Sequence, residues 1–186
     1  GIKDAFTEQH TLVTIVTGVE IAEFQKKIGT DICIARTMPN TAIRIRQSMT
    51  CIATNKPDSK QFEEVVDIFN MLGKTLVIDE ELMLSATALG SCGIAYFLRA
   101  IRAASQGGTQ IGFHAGEAEL IAAQTAKGAA ELLLQLHSHP EDEIDKVTTP
   151  RGITIEGLNE MEHNGFSSAM IKGIVRSYDK AANKDE

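Results

Sequence analysis

Leu12-Val13-Thr14-Ile15-Val16-Thr17-Gly18 is followed by Ile21, Phe24 and Ile28 at helical spacing, then by Gly29, and then by Ile32-Cys33-Ile34-Ala35-Arg36. The first run is apolar and β-branched, which predicts a strand from Leu12 to Thr17 ended by Gly18. The three spaced apolar residues make one face of a short helix that Gly29 stops. The last run predicts a second strand, Ile32 to Arg36. Two strands joined through a helix run parallel. This stretch therefore makes the front of the chain α/β.

Further along, Ser48 to Thr54 is a third strand candidate. Phe62, Val65, Val66, Phe69 and Leu72 form one apolar helix face closed by Gly73, and Thr75 to Ile78 reads as a fourth strand. Residues 1–79 are thus expected to form one domain built on parallel strands. After Glu80 the strand signals stop. Ser85 to Gln106 is rich in Ala and Gly and is expected to end as a helix at Gly107-Gly108. From Phe113 to Ser138, the stripe Ala118, Ile121, Ala122, Thr125, Ala129, Leu132, Leu133 and Leu136 predicts an amphipathic helix. Two more helices follow, split by Asn164-Gly165. Residues 80–186 are expected to form an all-helical domain whose longest helix carries little polar surface. Such a helix must be buried, and about a hundred residues hide little on their own. A second copy of the chain is the natural cover. Lys180 to Glu186 is polar and expected to fray.

The composition narrows the function classes. A net charge of −7 over 186 residues, with pI near 5.3, argues against broad nucleic-acid or anionic-membrane binding. No apolar run of roughly 18 residues predicts a membrane span, and no signal peptide is visible. Cys33, Cys51 and Cys92 lack metal-type spacing and suit reduced thiols in a cytoplasm. His137 and His139 have no third ligand at helical or hairpin spacing, so no metal site is expected. The chain opens at Gly1 rather than methionine, and the expectation is a processed chain or a portion of a longer protein.

Thr148-Thr149-Pro150-Arg151-Gly152-Ile153-Thr154 lies between two helical stretches, and Pro150 and Gly152 break regular structure. Thr154 stands where a helix N-cap belongs. Either Thr154 only caps its helix, or the free N–H groups of the turn take a small carboxylate.

Several motifs, in order along nearly the whole chain, resemble pyrroline-5-carboxylate reductases. They are Met38-Pro39-Asn40-Thr41, Asp79-Glu80-Glu81-Leu82-Met83, Thr87-Ala88-Leu89 through Gly93-Ile94-Ala95-Tyr96, and Gln124-Thr125 with Gly128-Ala129-Ala130. His139-Pro140, the loop ending at Thr154, and Glu162 with Gly165-Phe166 complete the series. The resemblance implies a Rossmann-type sheet, here incomplete, followed by a helical dimerisation and substrate domain. It implies reduction of 1-pyrroline-5-carboxylate to L-proline with NADPH or NADH, the last step of proline biosynthesis, by a cytoplasmic homodimer or ring of dimers. Carried over by position, Thr154 contacts substrate as the catalytic hydroxyl, with Glu80, Thr149, Gly152 and Ile153 around the substrate. Val16, Thr17 and Gly18 line the nicotinamide ribose beyond a strand end, where ligands of open α/β sheets bind, and Met38, Pro39 and Asn40 leave the next strand at the same edge. Without the resemblance, Gly18 and Pro39-Asn40 read as ordinary turns, and Asp79-Glu80-Glu81 as acids favouring a helix start.

Four departures stand out. The family's Ser-Gly-Ser-Gly-Pro is Gly90-Ser91-Cys92-Gly93-Ile94, its second proline after Asn-Thr is Ala42, its Pro-Gly-Gly is Pro150-Arg151-Gly152, and its aspartate before Ala-Val-Thr is Leu84. A strand followed by Gly-x-Gly-x-x-Gly does not occur. The residues as given are therefore expected to bind NADPH feebly and to lack useful activity. Two rival expectations remain: a reductase of another cyclic imine, and a non-catalytic dimerisation module.

Overall fold

The computed structural model describes residues 5–29 and 31–182. The end of the segment expected to fray, from residue 183 on, lies outside the described residues. Contacts divide the chain into two compact units, Gly1–Ile94 with Gly173–Glu186, and Ala95–Lys172.

The first unit holds a four-stranded sheet: β1 (Thr11–Thr14), β2 (Cys33–Met38), β3 (Ser48–Thr54) and β4 (Gly73–Val77), in that spatial order. Helix α1 (Ile21–Ile28) joins β1 to β2, and α2 (Lys60–Asn70) joins β3 to β4. Both joined pairs are parallel, with Thr11 opposite Cys33 and Ser48 opposite Gly73. The expectation of parallel strands fails at one ladder. β2 and β3 are antiparallel, Ala35 facing Thr54 and Met38 facing Cys51. Between them lies only a short link through the 3-10 turn Thr41–Ile45. No crossover helix carries the chain back to the starting edge, so the chain simply reverses.

β1 is shorter than its apolar run. Thr14 Oγ1 accepts the Val16 N–H at 3.2 Å, which bends the chain out of the ladder and leaves Ile15 and Val16 exposed. α1 ends where Gly29 takes a left-handed conformation at φ +77. All six residues of β2 are buried, and their alternation feeds two clusters. Cys33 and Ala35 pack with Ile52, Phe62 and Val65 against α2, while Ile34 joins Ile21, Ile28 and Ile32 against α1. Burying each large aliphatic side chain contributes roughly 1.5–3 kcal/mol.

From Glu80 the chain is helical. A 3-10 turn (Glu80–Leu82) leads into α3 (Met83–Ala86), a π-helical turn (Thr87–Ser91) and α4 (Gly93–Gln110). The stretch Glu80–Gln110 is long and apolar enough, by length and composition, to cross a membrane, although no span was expected. One such helix is weak evidence, because a helix covered by protein passes the same test. α4 runs through Gly107-Gly108, where a stop was expected. The reason is packing: a Cβ on Gly108 would stand 3.1 Å from Ala118 Cβ, so glycine admits the next helix. That helix is α5 (Ala115–Leu136), followed by α6 (Pro140–Val147), α7 (Ile153–His163) and α8 (Phe166–Ala181). Among the described residues of the unit Ala95–Lys172, only Ser105 and Ala118 are buried. Phe97, Leu98, Ile111 and Leu132 are among the large apolar side chains left exposed.

Candidate active site

In the sheet unit the candidate site forms around a buried cation. Arg36 lies in the buried strand β2 and is only 5% exposed. A buried guanidinium requires an anionic partner. Glu80 supplies it: Arg36 donates an NH1 hydrogen to Glu80 Oε1 at 2.6 Å. The same oxygen accepts the backbone N–H of Ile21 at 2.8 Å. Ile21 is the first residue of α1, whose N–H groups lack partners within the helix and whose end carries partial positive charge. Glu80 Oε2 takes no hydrogen bond from the described residues. Arg36 Nε is buried and unpartnered among them.

A cavity of about 190 Å³ opens here, lined by Gly18, Glu20, Arg36, Glu80, Glu81, Met83 and Leu84. Glu20, Glu80 and Glu81 set three carboxylates against one guanidinium, so the cavity suits a cationic group better than an anion. Gly18 has φ +79 and open space where a Cβ would point. It therefore keeps the turn after β1 both left-handed and unobstructed. Val16 and Thr17 are exposed in that turn. The structure thus brings Gly18 and Glu80 to one cavity, although 62 positions apart in sequence (80 − 18).

Two other sequence candidates sit differently. The Met38 side chain is 6% exposed and packs with Ala53 and Met83 in the core, at the inward end of β2. The side chain is spent on the core, which leaves only the Met38 backbone for the expected cofactor contact. Pro39 and Asn40 are half-buried. Asn40 Oδ1 accepts the Ala42 N–H at 3.0 Å, and Asn40 Nδ2 donates to the Gly90 carbonyl at 3.2 Å. Both ends of that amide are spent on the protein, tying the 3-10 turn to the π-helical turn.

The Gly152 N–H donates to the Thr149 carbonyl at 2.8 Å, closing a turn over Pro150 and Arg151. Arg151 has φ +59, a conformation costly for a residue with a Cβ. A Cβ on Gly152 would stand 2.5 Å from Thr149 Oγ1, so that position requires glycine. The N-cap of α7 is Gly152, not Thr154. The tight turn starts the helix two residues earlier than the threonine suggested. Thr154 is exposed on the first turn of α7 and its side chain makes no hydrogen bond to the described residues. Ile153, beside it, is 93% exposed.

His139 caps α6, its Nδ1 accepting the Glu141 N–H at 3.2 Å. Among the described residues no three His, Cys, Asp or Glu side chains are grouped to hold a metal ion. Cys33 and Cys51 are buried, and burial pushes the Cys51 thiol up, which suits packing rather than nucleophilic use. Sequence reasoning did not single out Arg36. The signal was present: a charged residue ending an otherwise apolar run must find a partner once that strand is buried.

Residues 80–184 match the family model described as pyrroline-5-carboxylate reductase dimerisation. Pyrroline-5-carboxylate reductase 1 of Dictyostelium discoideum is 56% identical over 98% of this chain, which spans 35% of that relative. Pyrroline-5-carboxylate reductase 2 of the same organism is 49% identical over 98% of this chain, which spans 66% of it. A solved pyrroline-5-carboxylate reductase from Coxiella burnetii superposes with a TM-score of 0.90 at 25% identity, covering 100% of this chain and 70% of its own. The Plasmodium falciparum pyrroline carboxylate reductase, solved with NADP bound, gives 0.83 at 27% identity, covering 92% of this chain and 69% of its own. The chain belongs to the pyrroline-5-carboxylate reductase family.

Proposed function

We propose that the full protein reduces 1-pyrroline-5-carboxylate to L-proline with NADPH or NADH, the last step of proline biosynthesis, as a cytoplasmic homodimer. The half-bonded carboxylate of Glu80 carries this reading. Its Oε1 is fixed by Arg36 and Ile21 N, and its Oε2 is left for a ligand in a cavity of negative balance. Such a group favours the protonated, electrophilic form of a C=N bond. The exposed turn Val16–Gly18, with Pro39 and Asn40 behind it, fits the nicotinamide end of the cofactor, while Met38 supports it from the core. A nicotinamide held there would supply the hydride that turns the C=N bond into the secondary amine. The acidic cavity is a poor place for the substrate carboxylate. Within the helical unit, Thr149, Gly152 and the first N–H groups of α7, at Ile153 and Thr154, offer donors suited to a carboxylate. The family pattern also assigns the Thr154 hydroxyl, exposed on the first turn of α7, to the substrate.

A second reading, reduction of a different cyclic imine, is favoured by Arg151, which sets a cation on the substrate loop where the family pattern has glycine. Turnover of pyrroline-5-carboxylate against its six-membered homologue by the full-length protein separates the two, and turnover of neither leaves a dimerisation module. Thr154→Ala sharpens the test. Because Thr154 is not the cap, stability should change by no more than about 0.5 kcal/mol, while turnover at saturating cofactor falls roughly 10²-fold. Turnover within about threefold of the parent, well short of a general-acid effect, removes Thr154 from the chemistry.

A further inference from the structure

We infer that Arg36 is a positioning residue of the reductase site, acting on the substrate only through Glu80; the inference rests on the functional reading above. Arg36 is too deeply buried in β2 to be a substrate ligand itself, and its charge is already matched by Glu80. It grips the carboxylate through one nitrogen and one oxygen, not through the two-pronged contact that Arg usually makes. A two-pronged pair would occupy both carboxylate oxygens. Here the Ile21 N–H shares Oε1, so the two protein donors converge on one atom. Oε2 is thereby left without a hydrogen bond from the described residues. The buried, unpartnered Arg36 Nε shows that the arrangement is not optimised for the ion pair. A buried donor without a partner is costly, and such groups mark sites where geometry serves something other than stability.

The arrangement also reaches the turn at Gly18. Glu80 anchors the first N–H of α1, and that turn leads into α1. One carboxylate oxygen thus holds strand β2, the start of α1 and the entry to α3 in register, at a residue that lines the cavity. Substituting Arg36 should leave the fold of the cavity in place and let the Glu80 carboxylate swing. Substrate binding should then suffer more than cofactor binding.

The test is a double-mutant cycle on the full-length, cofactor-loaded protein, using Arg36→Gln, Glu80→Gln and the pair. The readouts are KM for pyrroline-5-carboxylate, KM for the nicotinamide cofactor, and calorimetric binding of L-proline. Arg36→Gln should raise the substrate KM and the L-proline Kd roughly ten- to hundredfold, the span of a charge-assisted hydrogen bond, with the cofactor KM within about twofold. In the Glu80→Gln background the same substitution should change either value by less than about threefold, since its route to the substrate is already cut. Arg36→Lys, which keeps a cation, should recover most of the loss. Effects that multiply across the cycle, or that fall equally on cofactor and substrate, overturn the inference and leave Arg36 a structural ion-pair partner. Where Arg36→Gln does not fold, the same cycle is read with Arg36→Met, which also removes the cation, and multiplication again overturns it. A parent enzyme that neither turns over pyrroline-5-carboxylate nor binds L-proline sinks the functional reading and this inference together. An active parent with multiplying effects sinks the inference alone.

Discussion

The sheet unit and the helical unit treat apolar residues in opposite ways. In the first, Ile32, Ile34, Ala35 and Ile52 are fully buried, and two helices cover the sheet. In the second, among the described residues of Ala95–Lys172, burial stops at Ser105 and Ala118, while Phe97 and Ile153 are 62% and 93% exposed. One sequence encodes a core, the other a surface that needs covering. Patches of that kind on a monomer mark interaction sites. The match to the family's dimerisation model, residues 80–184, takes in the whole of that second unit.

Three measurements can break that contrast. The largest effect is expected where the core is self-contained. Ile52→Ala should destabilise the sheet unit by about 2–5 kcal/mol, with an unfolding midpoint in urea that does not move with protein concentration. Next comes Phe97→Asp. On a true monomer surface it would be nearly neutral, within about 0.5 kcal/mol. At the core of a dimer interface it should weaken association by about 2 kcal/mol or more, roughly thirtyfold, seen by sedimentation at micromolar concentration. A variant that sediments like the parent removes Phe97 from any interface. The smallest effect concerns the substrate loop. Arg151→Gly relieves the left-handed strain but adds freedom to the unfolded chain, so a net gain of about 0.5–1 kcal/mol is expected in thermal unfolding. A loss would mean that the Arg151 side chain makes a stabilising contact.

Much of the sheet unit was legible because its signals are local. Ser48 to Thr54 is rich in apolar and β-branched residues, and the strand matches the reading residue for residue. The α1 helix stops at Gly29 because only a residue free of a Cβ takes φ +77 cheaply. Legibility failed where packing overrode a local signal. Gly107-Gly108 looked like a stop, yet Gly108 is there to admit Ala118. Thr154 looked like a cap, yet the turn closed by the Gly152 N–H and the Thr149 carbonyl starts the helix earlier. The β2–β3 reversal hides in a link whose length, not composition, forbids a crossover. In the candidate site, Glu80 and Gly18 were readable through resemblance. Arg36 was not, because its partner lies 44 residues away and no spacing rule spans that distance.

An uncovered helical half also sets a rule for abundance. In the proposed dimer, two newly made chains must meet before that half acquires an interior, so completion is second order in the amount synthesised. Below the dissociation constant, assembled protein grows with about the square of supply, and a halved supply leaves about a quarter of it. The unpaired remainder presents the exposed apolar faces of Phe97, Leu98 and Ile111 to chaperones and proteases. What reads in one chain as a missing core becomes, in a cell, a steep dependence of capacity on gene dosage.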